Sequence, residues 1–372
     1  MHLYAGLLLG ALFALLGLTG SVLTFYLEVD TAFNPAQRVA QPALTAPAPD
    51  AVLARLKALY PDRDGPWRIE MPLAADDALR VRYYNPVETA GRGFAPLMLS
   101  LDPATLNVTS ERFWGDYAVT WLYDLHYTLL LGAPGTQWVG IAGWLMLLSM
   151  FSGLYLWWPS RARLASALKP VLRRGIVRTV YDLHVLTGVY GFVVLATLAF
   201  TGCVLALHGP TRAVVEVFSP VQDLYRAPAG LATGEPRLAL EAAVAIARQR
   251  FPDAELRWIE SSGARGTPIM LRLRQPDEPG RRFPQTRLWL HPVSGDILAV
   301  RDPGQNSGGD TFFAWMHPLH NGEAFGLPGR ILACIGGVMP LIIFVTGWIR
   351  WRQKRRARRA GERGRSASGA PA

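Results

Sequence analysis

The sequence predicts a membrane α-helical bundle: four transmembrane helices in a tandem parallel repeat, carrying two small α+β domains outside the bilayer. Three observations predict it. Of the 372 residues 50% are hydrophobic, and they gather in four long runs. Two hydrophilic stretches between the runs share one helix-then-strands pattern. The chain also aligns with itself at long range.

The four runs are 3–27, 137–158, 185–207 and 331–349, and none contains a charged residue. Each approaches or exceeds the roughly 20 apolar residues that cross about 30 Å of hydrocarbon. In lipid such a segment must satisfy its backbone internally, so each predicts a helix. The first run is too long for a leader's apolar region and lacks both a basic start and a small-residue cleavage site. It therefore predicts a span. Pro340 predicts a kink in the last helix.

The net charge is +10. Its excess sits in two segments. The loop after the second run holds Arg161, Arg163, Lys169, Arg173, Arg174 and Arg178 against Asp182, and the tail from Arg350 onward holds nine basic residues against Glu362. Elsewhere acidic residues outnumber basic ones. The positive-inside rule makes both segments and both termini cytoplasmic. The tail reads as topology signal and lipid-headgroup contact, not as a nucleic-acid site. The Ala/Arg/Gly/Leu-rich composition points to a bacterial inner membrane, with the long hydrophilic segments periplasmic. Cys203 and Cys334 both fall within spans, so no disulfide framework is expected outside.

A shift of 182 residues lays the first run on the third: His2 on His184, Gly6 on Gly188, Thr19-Gly20 on Thr201-Gly202. A shift of 194 lays the second on the fourth: Trp121 on Trp315, His126 on His320, Gly132 on Gly326, Gly153 on Gly347, Trp157 on Trp351. The hydrophilic stretches correspond as well. "AVLARLKALYPD" and "EAAVAIARQRFPD" predict amphipathic helices with a Pro-Asp stop. "WRIEMP", "ALRVRYYNP" and "PLMLSLDPATLNVTS" match "ELRWIES", "TPIMLRLRQP" and "TRLWLHPVSGDILAV" as strands, with hairpin turns at Asp102-Pro103 and His291-Pro292. Segments 30–50 and 222–236 read as Pro/Ala/Gly-rich linkers. The expected layout is helix 1 over 1–29 and a first domain over 30–120. An outer histidine segment with helix 2 covers 121–158, and a basic loop 159–180. Helix 3 covers 181–207 and a second domain 208–314. A second outer histidine segment with helix 4 covers 315–351, and a basic tail 352–372.

Of seven histidines, four obey the register, as His2 with His184 and His126 with His320. The first pair starts the outward spans and belongs near the inner face. The second precedes the returning spans and belongs near the outer face. A pseudo-two-fold axis along the membrane normal brings equivalent residues face to face. Two imidazoles meeting inside a bundle suit a haem with two axial nitrogens. Gly6, Gly10, Gly188 and Gly191 would leave room for the macrocycle. No C-x-x-C-H occurs, so attachment would be non-covalent, b-type. Zinc fits less well, because each pair lacks a third and fourth ligand. The bland alternative for any single one of these histidines is a polar anchor at the membrane surface. Asp124 and Asp182 precede two of the histidines but point elsewhere on a helix. Trp114, Trp121, Trp315 and His317 lie just before the outer histidines and either line a docking surface or form an interfacial aromatic belt. His291 belongs to a turn.

The start "HLYAGLLLGALFALLGLTGSVL", the recurring Leu-His-x5-Gly, the span end "SGLYLWWP" and the strand "LWLHPVSGDIL" resemble the PepSY-associated transmembrane-helix family along essentially the whole chain. Family members with this layout include inner-membrane ferric-siderophore reductases of the FoxB type. The resemblance implies two b-type haems on His2, His184, His126 and His320, and a haem-dependent reductase passing electrons to a periplasmic ferric siderophore. No nucleotide or flavin fingerprint is present, so the donor would be external, a quinol or a redox partner. The alternative is a non-redox binding protein whose spans only anchor PepSY-like domains.

Overall fold

The computed structural model describes residues 2–39, 47–170, 175–223, 225–226, 231 and 238–368. Residues 40–46 of the first linker, most of the second linker, residues 171–174 with Arg173 and Arg174, and the last four residues lie outside the described residues. The helices are α1 (His2–Leu23), α2 (Tyr26–Phe33), α3 (Pro49–Leu59), α4 (Ala118–Thr128), α5 (Ala133–Trp157), α6 (Leu164–Ala167), α7 (Ile176–Tyr190), α8 (Phe192–Ala206), α9 (His208–Val215), α10 (Leu240–Arg250), α11 (Gly308–His320) and α12 (Gly326–Ser368). The strands are β1 (Trp67–Glu70), β2 (Leu79–Tyr83), β3 (Leu97–Leu101), β4 (Val108–Phe113), β5 (Glu255–Glu260), β6 (Ile269–Arg274), β7 (Thr286–Leu290) and β8 (Ile297–Arg301). They form two units. A helix unit holds residues 1–24, 125–208 and 319–372, and a sheet unit holds 25–124 and 209–318.

In the helix unit α1, α5 and α12 are each long and apolar enough to cross a membrane. The third apolar run is not one straight helix: α7 and α8 meet at a bend of 62°, so a fourth span exists only if the two count together. The bend falls at Gly191, where Met339 of α12 packs too closely to admit a side chain. Pro340, expected to kink the last helix, lies inside an unbroken α12 with its ring against Gly17 of α1. Small residues let the helices approach. Gly337 of α12 packs on Gly17 and Ser21 of α1, and Gly143 of α5 packs on Cys203 of α8. The two crossings occupy positions that the 182 and 194 shifts align.

The sheet unit departs from two separate modules. Its strands form one antiparallel sheet in the order β4-β3-β2-β1-β5-β6-β7-β8. Each half supplies the expected helix and four strands, but β1 pairs with β5 and fuses them. An unpaired edge strand exposes a row of backbone donors and acceptors, and joining two edges removes both rows. The two helices lie on one face and cap each other. The Asp50 carboxylate accepts from the Leu240 and Glu241 N–H groups, at 2.8 and 3.1 Å, while Glu241 accepts from the Asp50 N–H. The core beneath them comes from alternate strand residues, among them Ile69, Leu79, Leu99, Ile259, Leu271 and Leu288, with Leu56 and Ala243 from the helices. At the hairpin turns Asp102 accepts from the Ala104 and Thr105 N–H groups, and His291 Nδ1 accepts from Val293 and Ser294. His291 therefore does in the second hairpin what a carboxylate does in the first. The 26–33 stretch, expected as span end and linker, is the short helix α2.

Candidate functional site: two histidine pairs

Four imidazoles meet in the helix unit as two pairs. His2 of α1 and His184 of α7 have ring centroids 6.3 Å apart. His126 of α4 and His320 of α11 are 6.2 Å apart. These are the partners that the register aligns. Each ring rests on a different helix, and the four resting places share one construction. His2 Nδ1 donates to the Ser149 carbonyl at 2.9 Å and lies 3.4 Å from Ser152 Oγ. His184 Nδ1 donates to the Ile343 carbonyl at 3.0 Å, with Thr346 Oγ1 at 3.2 Å. His320 Nδ1 donates to the Leu198 carbonyl and Thr201 Oγ1, both at 3.0 Å. His126 Nδ1 meets Thr19 Oγ1 at 3.0 Å and the Leu16 carbonyl.

A carbonyl can only accept, so each Nδ1 carries the proton and each Nε2 keeps its lone pair. The hydroxyls donate backwards into their own helices, Thr201 to the Thr197 carbonyl at 2.7 Å and Ser152 to the Ser149 carbonyl at 2.7 Å. Their oxygens are left to accept from the imidazoles. A glycine follows each hydroxyl residue. A Cβ there would sit 2.9 Å from the ring Cε1 of His126 at Gly20, and 3.0 Å from that of His320 at Gly202. At Gly153 it would sit 2.7 Å from His2 Cε1, and at Gly347 3.1 Å from His184 Cε1. The four seats are thus Thr19-Gly20, Ser152-Gly153, Thr201-Gly202 and Thr346-Gly347.

This donor set suits a flat tetradentate cofactor. A metal-bound imidazole has an N–metal bond of about 2.0 Å, and its centroid lies about 1.1 Å behind the nitrogen. Two such rings on opposite sides of one metal stand about 6.2 Å apart. Imidazoles that ligate a metal also usually donate their second N–H to a carbonyl, as all four do here. Among the described residues no group of three or more His, Cys, Asp or Glu side chains gathers around either pair. Two protein ligands leave a bare zinc ion half coordinated but complete an iron already held by a macrocycle.

Of the glycines expected to make room, Gly6 and Gly188 face open space within 4 Å. Gly10 and Gly191 do not: they pack on Phe344 and Met339 of α12. The Ser/Thr-Gly seats were the missed residues. Their signal was in the register, where Thr19-Gly20 and Thr201-Gly202 align and Gly153 aligns with Gly347. Sequence alone did not show which helix each histidine would lean on.

The proposed docking residues divide. Trp114 is buried, contrary to its place on a docking surface. Its indole N–H donates to Asp124 at 3.0 Å and its ring packs on Phe94 and Tyr123. Burial raises the Asp124 carboxyl above its usual range despite that bond. Trp121 on α4 and Trp315 on α11 are exposed. His317 packs edge-on against Phe283, centroids 4.5 Å apart. Asp182 pairs with Arg178 at 2.9 Å.

A search of curated proteins gives no match. The family model described as PepSY-associated TM region matches residues 1–354, nearly the whole chain and both histidine pairs, and the protein belongs to that family.

Proposed function

We propose that the protein is a di-haem b electron conduit of a bacterial inner membrane. It reduces a ferric siderophore on the periplasmic side, Fe(III) to Fe(II), so that iron is released. His2 and His184 would hold one haem, and His126 and His320 the other. The observation that carries this reading is the paired imidazoles at 6.2 and 6.3 Å, each with Nδ1 turned to a carbonyl. Haem bound by these residues would supply reversible one-electron chemistry. The chain's own part is to hold four lone pairs ready. The carbonyls fix the tautomer, the hydroxyls fix the ring plane, and the glycines let each ring lie close to its helix. The apolar helices exclude water around them. One electron per iron comes from an external quinol or redox partner. Iron(II) is then held less tightly than iron(III) by hard oxygen ligands.

The tandem parallel repeat belongs to the same proposal. It puts the first pair near the cytoplasmic face and the second near the periplasmic face, with both termini inside. A protein whose spans only anchored its domains would need none of the four seats. The test is an absorption spectrum of detergent-purified protein with and without dithionite. A Soret band that shifts on reduction is expected, and its absence after expression in haem-replete cells overturns the conduit. His184→Ala and His320→Ala are each expected to remove a different haem, and retention of both haems by either variant would refute the pairing.

A further inference from the structure

The face of the sheet turned away from α3 and α10 carries arginines in register. Across β5, β6, β7 and β8 one row reads Trp258, Arg272, Arg287, Arg301. Like charges directly opposite each other on neighbouring strands destabilise a sheet. The two ends of the group are neutralised. Arg68 of β1 pairs with Glu260 at 2.5 Å, and Arg301 pairs with the fully buried Asp310 at 3.3 Å. The middle has no direct ion pair. The Arg272 and Arg287 side chains have no hydrogen-bond or ion-pair partner among the described residues, the Nε of each is buried without an acceptor, and Glu260 and Glu278 act on them only from a distance.

The neighbouring carboxylates are already engaged. Glu260 also accepts from Tyr84 at 3.3 Å, and Asp310 also accepts from the Gln222 and Ser307 N–H groups. Glu278 accepts from the Gln275 and Thr286 N–H groups and the Thr286 hydroxyl. Arg272 is only 9% exposed, and its guanidinium lies 4.4 Å from the Trp258 ring centroid, with Arg68 4.1 Å from that same ring. Burial pushes Arg272 down to about 9 and Arg287 down to about 10, with neighbouring guanidiniums adding to both. Both remain cations at neutral pH. A buried, unpaired guanidinium is strongly unfavourable unless something supplies the opposite charge.

We infer that Arg272 and Arg287 form a binding site for a ligand carrying two or more anionic oxygens, a polycarboxylate, its ferric chelate, or phosphate. Two planar forks side by side suit paired oxygens better than a single halide. Arg287, the less buried of the two, is the ligand's way in. That the ligand is the electron acceptor rests on the proposed function; the binding itself does not.

The test is calorimetric titration and thermal melting of the full-length protein in detergent at low salt, without reductant. The haem spectrum is recorded on the same samples. The probes are sodium citrate, inorganic phosphate and ferric citrate. At least one is expected to bind. Arg272→Gln and Arg287→Gln should each weaken it by about tenfold or more, the scale of one lost charge-assisted pair. Arg38→Gln, at a surface ion pair with Asp76, should leave affinity unchanged. The ligand-free double variant should melt no lower than wild type and lose the ligand-induced rise. If it fails to fold, Arg287→Lys keeps the charge, removes the fork and should still weaken binding several-fold.

Binding of ferric citrate alone identifies the chelate as the ligand, and binding of citrate or phosphate equally well identifies a free oxyanion. No binding of any probe overturns the site. So does wild-type affinity in the variants, or an equal loss in Arg38→Gln. A sample without a Soret band that still binds leaves the site standing and removes the conduit. A haem-loaded sample that binds nothing does the reverse.

Discussion

An imidazole that must present one nitrogen needs its other nitrogen held and its ring edge uncrowded. Both needs are met here by a dipeptide, hydroxyl residue then glycine, one helical turn beyond an accepting carbonyl. The glycines make the sharper prediction. Gly202→Ala places a methyl group 3.0 Å from the His320 ring, and Gly347→Ala places one 3.1 Å from His184. Contacts that short force the ring to shift. Each variant is expected to lose or weaken one haem and spare the other, read by haem per protein and by separate reduction steps in a potential titration. Gly93→Ala, with nothing within 4 Å, should leave the spectrum unchanged. Thr201→Val tests the hydroxyl. The Leu198 carbonyl still accepts from His320 Nδ1, so the haem should stay while its reduction potential moves. Identical spectra and potentials for Gly202→Ala and wild type would contradict the seat.

Elements show where local pattern and packing part company. Strand alternation was readable because one face of the sheet meets two helices: Ile269, Leu271 and Leu273 point in, Met270 and Arg272 point out. The β1–β5 junction was not readable, because nothing local tells an edge strand which distant edge it will meet. The reciprocal caps across that junction give it a measurable strength. Removing an N-cap acceptor costs about 1 kcal/mol, and Asp50→Ala removes acceptors from two N–H groups of α10. A fall in melting temperature is expected for Asp50→Ala, and a much smaller one for Asp62→Ala past the end of α3. Equal effects would argue against the caps. The third span makes the opposite point about proline. Pro340 lacks an N–H and α12 continues through it without a break, whereas the third apolar run breaks at Gly191, against which Met339 packs. A side chain at Gly191 is expected to lower thermal stability in detergent by overpacking, and a melt unchanged in Gly191→Leu would argue against that contact.

At the scale of the whole molecule, charge placement makes the topology testable. Ser160→Cys lies in the basic loop and Ser294→Cys in the second hairpin turn. In intact spheroplasts an impermeant maleimide should label the second and reach the first only after permeabilisation. Cys203 is buried and Cys334 half-buried, both within the apolar helices α8 and α12, so they contribute little background. Labelling of both from one side would overturn the proposed topology. By itself the sequence determined the long apolar helical runs, the strand content and which histidines would be partners. These depend on composition, period and register, and each leaves a mark along the chain. Only the tertiary structure decided that the two domains share one sheet, that the third apolar run bends, that Trp114 is buried, and that each histidine leans on a Ser/Thr-Gly step of another helix. Those outcomes depend on which surfaces meet. Contact between residues more than a hundred positions apart is chosen by packing and hydrogen bonding in three dimensions, not by either segment alone.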